Sequence, residues 1–79
     1  MRAIVYIRLK TEVLDPQGQA IESALKNLGE NTINNIRQGK LIEMDIEAKN
    51  IEEAEEKIEK ITKSLLANTV IEEYSIEIS

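Results

Sequence analysis

The 79-residue sequence holds no cysteine, no histidine, no tryptophan and no phenylalanine, and only two tyrosines, three glycines and one proline. Without Cys or His there are no disulfides, thiolate nucleophiles or imidazole bases, and nearly every zinc or haem site is excluded. Stacking aromatics are scarce and the formal net charge is −5, so a nucleic-acid partner, which selects for cations and ring faces, is not expected. No apolar run approaches the ~20 residues that span a bilayer. The opening MRAIVYIRLK lacks the pattern of a cleavable signal. No membrane association and a cytoplasmic location are therefore expected, and the lack of Cys fits a reducing compartment.

A chain this short is expected to form one domain over residues 1–79. A core of that size gives roughly 3–5 kcal/mol unaided, and small domains add disulfides, metals or association. The first two routes need residues that are absent, which leaves a homodimer or higher homo-oligomer.

What is present patterns clearly. Ala3, Val5, Ile7 and Leu9 alternate with Ile4, Tyr6, Arg8 and Lys10, which predicts a strand whose second face is apolar at its start. Asp15-Pro16 predicts a helix start, with Asp to accept first-turn amides and Pro where its missing N–H costs nothing. Ala20, Ile21, Ala24, Leu25 and Leu28 then repeat at helical spacing up to Gly29, which suits a left-handed closing residue. Residues 33–48 read as a strand with Ile42, Met44, Ile46 and Ala48 on one face. Fully extended, these residues would reach roughly 50 Å in a domain about 30 Å across. The segment must bend, with Gly39 as a bulge or turn, or reach out toward a neighbouring chain, and a bent strand extending past its own domain is expected.

Asn50 with Glu53 resembles a capping box, and Ile51, Ala54, Ile58, Ile61 and Leu65 predict the second helix. Its outer face offers Glu53–Lys57, Glu56–Lys60 and Glu59–Lys63 pairs in the favourable orientation. Asn68 suits a left-handed terminator, and Val70 to Ile78 predicts a last strand. The expected fold is thus α+β: a two-layer β-α-β(long, bent)-α-β sandwich with a ferredoxin-like antiparallel sheet and two helices on one face. The sheet's other face would carry Ile4, Tyr6, Leu41 and Ile71, the candidate dimer interface.

Candidate chemistry is sparse. The fifteen carboxylates fall on strand alternations and helix surfaces, where solvated Asp and Glu need no special role, and Ser23, Thr62 and Ser64 have no His or Cys companion. No catalytic, cofactor-binding or metal residue is expected. Gly18, a poor helix former in a first turn, suits close approach by another backbone. Arg37-Gln38-Gly39-Lys40 brackets a glycine with two cations and suits a phosphate or a partner carboxylate. Arg37, Gly39, Lys40 and Gly18 are therefore the candidate partner or substrate contacts, against a simpler reading as a bulge flanked by surface charge.

Taken together, Val13-Leu14-Asp15-Pro16-Gln17-Gly18, Ile36-Arg37-Gln38-Gly39-Lys40 and Leu65-Leu66-Ala67-Asn68 followed by Val70-Ile71-Glu72 and Tyr74 resemble the PurS family over the whole chain. One departure is Thr69, where the family usually has proline, so that the helix-to-strand turn loses a fixed φ. The resemblance implies the small subunit of phosphoribosylformylglycinamidine synthase in purine biosynthesis, an ATP-dependent, glutamine-hydrolysing ligase. It further implies a PurL-type synthetase partner carrying ATP and magnesium, a PurQ-type glutaminase partner, and a bridging role that assists ammonia transfer. The alternative from the residues alone is a free-standing ferredoxin-like dimer that binds a regulatory ligand.

Overall fold

The computed structural model describes all of residues 1–79. Its elements are β1 (Arg2–Leu9), α1 (Pro16–Asn27), β2 (Gly39–Asp45), α2 (Ile51–Ile61, running into a π-helical turn over Thr62–Leu66) and β3 (Glu72–Ile78). β1 lies centrally, antiparallel to both neighbours, in the order β2-β1-β3. The alternation of β1 sets the core. Ala3, Val5 and Ile7 are fully buried and meet Ile58 of α2 together with Ala67, and Ala54 of α2 is also fully buried. Ile42, Met44, Tyr74, Ile76 and Ile78 pack around this centre while staying partly exposed.

Local signals start and stop the helices as their chemistry requires. The Asp15 carboxylate accepts the Gly18 N–H and Pro16 takes the first helical position. At the far end Gly29 adopts φ 86°. The Gly29 N–H donates to Lys26 and the Glu30 N–H to Leu25, the paired bonds of a Schellman motif. Asn50 caps α2 through the Glu53 N–H at 2.8 Å, while the Glu53 carboxylate turns to the Lys49 N–H. Of the three expected surface pairs, Glu53–Lys57 and Glu59–Lys63 form, and Glu56–Lys60 does not.

Asn68 ends the second helical region by a different device from the expected left-handed residue. Its side chain accepts the Val70 N–H, its carbonyl accepts from Ile71 and Glu72, and Glu72 accepts the Asn68 N–H. This set of bonds holds the turn that Thr69 leaves without a proline.

The α+β plan with a ferredoxin-like antiparallel sheet is as expected, but α1 is not seated on the sheet. None of its side chains joins the core or packs against it, and Ile21 and Leu28 are 42% and 82% exposed. The expected long strand is likewise reduced to Gly39–Asp45, and residues 30–38 run back without a ladder partner. Gly39 is neither bulge nor turn, since register runs unbroken from Arg8↔Gly39 to Arg2↔Asp45. The bend lies upstream, where Asn35 has φ 56°. α1 and this return segment form an arm off one end of the sheet. The molecule measures 52 × 25 × 14 Å with a radius of gyration of 16.1 Å, against about 12 Å for a compact chain of this length.

Candidate functional site

The residues singled out in the sequence gather where the arm meets the sheet. Asp15, 5% exposed, uses both carboxylate oxygens, one on the Gly18 N–H at 3.0 Å and one on the Gln38 N–H at 2.7 Å. These backbone donors, the Gly18 bond first, hold its pKa below the usual carboxylate range, and nearby Arg37 acts in the same direction against the cost of burial. Gly18 is glycine because the return segment crosses it. A Cβ there would stand 2.0 Å from the Ile36 carbonyl oxygen and 2.9 Å from its carbon. Glu22, one turn further along α1, accepts the Ile36 N–H at 2.6 Å.

Arg37 completes this junction from the other side. One guanidinium nitrogen donates to the carbonyls of Lys10 and Val13 at 2.8 and 2.9 Å, and to Leu9 at 3.3 Å. Gly39 opens β2 with no room for a side chain, its Cβ position lying 2.6 Å from the Ile7 carbonyl oxygen. Lys40 pairs with Glu72 at 3.3 Å and Arg8 with Glu73 at 2.7 Å. Gly18, Arg37, Gly39 and Lys40 are therefore brought together, and each has an identifiable internal role. Sequence reasoning missed Asp15's second bond and Glu22, because a carboxylate serving a local cap shows no sign in the sequence of a distant second donor.

An open cleft of about 660 Å³ runs beside this junction, lined among others by Tyr6, Arg8, Arg37, Lys40 and Tyr74. It continues onto the sheet face away from α2, where Ile4, Tyr6 and Leu41 lie together, Tyr6 directly opposite Leu41. Tyr6 and Leu41 are 40% and 53% exposed. Ile71 sits at the end of this face, its carbonyl accepting the Lys10 N–H at 2.9 Å. The apolar centre is flanked by polar rungs. Arg2 bridges Glu43 and Asp45 at 2.6 and 3.2 Å, and the Tyr6 hydroxyl donates to Glu77 at 3.0 Å. That bond, followed by partial burial, raises the Tyr6 pKa above its ordinary value. The arrangement suits contact with another protein surface: an apolar strip within a rim of oriented charges.

Known proteins resemble this chain in sequence and in fold over nearly its whole length. Residues 2–79 match the family model described as PurS: phosphoribosylformylglycinamidine (FGAM) synthase. Phosphoribosylformylglycinamidine synthase subunit PurS of Mycobacterium leprae is 48% identical over 75 residues, covering 95% of this chain and 91% of that protein. The crystal structure of Methanocaldococcus jannaschii PurS superposes with a TM-score of 0.90 at 40% identity, covering 99% of this chain and 94% of that one. A chain of the PurLQS structure from Thermotoga maritima does so with 0.88 at 33% identity, covering 96% and 93%. The arm, the junction and the sheet thus lie within what is shared, and the chain belongs to the PurS family, the small subunits of phosphoribosylformylglycinamidine synthase in purine biosynthesis.

Proposed function

We propose that this chain is a connecting subunit that does no chemistry itself. As a homodimer or higher homo-oligomer it joins a PurL-type synthetase subunit, which holds ATP and magnesium, to a PurQ-type glutaminase subunit, and it assists the passage of ammonia between them. The observation that carries this reading is the shape and use of its polar groups. A body 52 Å long presents exposed apolar strips on arm and sheet, while Asp15, Arg37 and Lys40 are engaged in holding the arm. Within this reading Gly18, Arg37 and Gly39 serve partner contact by setting the arm's direction, and Lys40, whose side chain remains 61% exposed, contacts a partner directly. No helix is long and apolar enough to cross a membrane, in keeping with a cytoplasmic site of action.

The test is reconstitution with the two partner subunits, measuring formylglycinamidine ribonucleotide formed from glutamine and, separately, from free ammonia. Omitting this chain is expected to abolish the glutamine-dependent rate and spare the ammonia-dependent one. An unchanged glutamine-dependent rate without it would overturn the proposal.

A further inference from the structure

The sheet face away from α2 takes its shape from two small residues. On β1 this face carries Ile4, Tyr6 and Arg8, and the register sets Leu41 and Ser75 beside Tyr6, and Gly39 and Glu73 beside Arg8. Gly39 has no side chain and Ser75 a short one, and both line the open cleft of about 660 Å³. The cleft is a hollow between an apolar wall, Tyr6 and Leu41, and a cationic one, Arg8 and Arg37.

The cationic wall holds unspent donors. Arg8 donates to Glu73 through Nε alone, at 2.7 Å, and Arg37 uses only Nη2 on the carbonyls at the base of the arm. A guanidinium carries five N–H groups, so the terminal nitrogens of Arg8 and the Nε and Nη1 of Arg37 are left without partners. The backbone carbonyls that grip Nη2 also fix the Arg37 fork in place, so little freedom is lost when it binds. Lys40, the third cation in the lining, is turned to Glu72, and Glu73 is the one carboxylate there. Two of the chain's three arginines thus meet a single carboxylate on a protein of net charge −5, and planar forks of this kind match a carboxylate.

We propose that the cleft receives an acidic side chain of a partner protein, its carboxylate between Arg8 and Arg37 and an apolar neighbour against Tyr6 and Leu41. Arg8 and Tyr6 are two residues apart on one strand, about 7 Å. The occupant therefore carries Asp or Glu and a large apolar residue two positions apart if extended, or three to four apart if helical. A protein segment fits better than a free anion, because the cationic corner is continuous with the exposed Tyr6–Leu41 strip, which a small anion would leave uncovered. The proposal rests on the connecting-subunit reading and deepens it by giving the chemistry of one contact.

Two variants test it in the reconstituted three-subunit complex. Ser75→Tyr fills the hollow and leaves both arginines in place, and Arg8→Gln removes one cation. Lys60→Gln, exposed on α2, is the charge-matched control. The concentration of this chain that gives half the maximal glutamine-dependent rate is expected to rise roughly tenfold or more for both cleft variants and to stay within about twofold for the control. Raising salt from about 50 to about 500 mM should weaken the wild-type chain more than Arg8→Gln. Should Ser75→Tyr fail to fold, Arg8→Gln and the salt dependence decide. Unchanged half-maximal concentrations overturn the cleft proposal alone, whereas a glutamine-dependent rate that needs no added chain overturns the connecting reading with it. Two other occupants would each overturn the proposal. Loss of self-association by the cleft variants, read by sedimentation of the chain alone, would place a second copy on this face. Calorimetric titration with inorganic phosphate, showing binding that Ser75→Tyr abolishes, would make the cleft a small-anion site.

Discussion

A methyl group added at Gly18 would lie 2.0 Å from the Ile36 carbonyl oxygen, with backbone on both sides of the contact. Neither partner can rotate away, so the return limb must shift and strain the Asp15 and Glu22 bonds. Gly29 gives the contrast. It has φ 86° and no atom within 4 Å of its Cβ position, so substitution there costs only the left-handed backbone penalty, roughly 1–2 kcal/mol. Overpacking costs about 1–3 kcal/mol, and at Gly18 it is joined by lost hydrogen bonds. Gly18→Ala is therefore expected to destabilise more than Gly29→Ala in urea denaturation, and equal midpoints would show that the junction yields easily. The carboxylates make a second residue-scale prediction. Asp15, Glu30, Glu53 and Glu72 all have lowered pKa values: Asp15 through Gly18 and Gln38, Glu30 through Thr32, Glu53 through Lys57 and Lys49, Glu72 through Asn68. A depressed native pKa contributes stability that is present above the unfolded value and lost as pH falls through the native one. With no histidine, the thermal midpoint is expected to stay flat from about pH 6 to 7.5 and to fall below about pH 4.5. Asp15→Asn should flatten the acid limb, and an unaltered limb would remove Asp15 from the account.

The elements were legible to the extent that their causes are local. Asp15-Pro16, Gly29 and the Asn50–Glu53 pair mark helix ends through groups within a few residues, and the alternation of β1 named Ala3, Val5 and Ile7 as core. Residues 33–38 were not legible as an unpaired limb, because extended sequence specifies a conformation and leaves the ladder partner unnamed. The stripe on α1 was legible too, but periodicity records that a face needs covering and carries nothing about which surface covers it. At the junction the sequence marked Gly18 and Arg37 as unusual, while the carbonyls that engage Arg37 belong to backbone that any residue could supply. The π-helical turn after α2 was also unforeseen, and it leaves a measurable trace. Thr62 is fully buried within it and its hydroxyl has no hydrogen-bond partner. An unsatisfied hydroxyl in an apolar core costs about 1–3 kcal/mol. Thr62→Val keeps the branched shape and removes the oxygen, so it is expected to raise stability by about 1 kcal/mol in the same urea assay. A loss instead would mean that the hydroxyl holds an ordered water that bridges to the turn.

At the scale of the molecule, the exposed arm and the small core make one argument about association. Only nine of 79 residues are buried, and the largest fully buried side chains are Ile7, Ile58, Val5 and Thr62. That is little apolar burial to offset the ordering of an entire chain, whose backbone alone costs roughly 1–2 kcal/mol per residue. The arm makes the imbalance worse, since α1 and residues 30–38 are ordered while burying almost no side chain of their own. If a second copy covers these surfaces, unfolding and dissociation are one event and stability depends on concentration. A hundredfold rise in protein concentration then adds about 2.7 kcal/mol per dimer. For two chains totalling roughly 160 residues, each kcal/mol moves the thermal midpoint by about 2–4 °C. The midpoint is therefore expected to climb by roughly 5–10 °C between about 1 and 100 µM, read by calorimetry or far-ultraviolet dichroism. A chain carrying Ile21→Asp and Leu25→Asp should melt at a lower temperature that no longer varies with concentration. A wild-type midpoint independent of concentration would mean that the arm is stable in isolation and that the small core suffices.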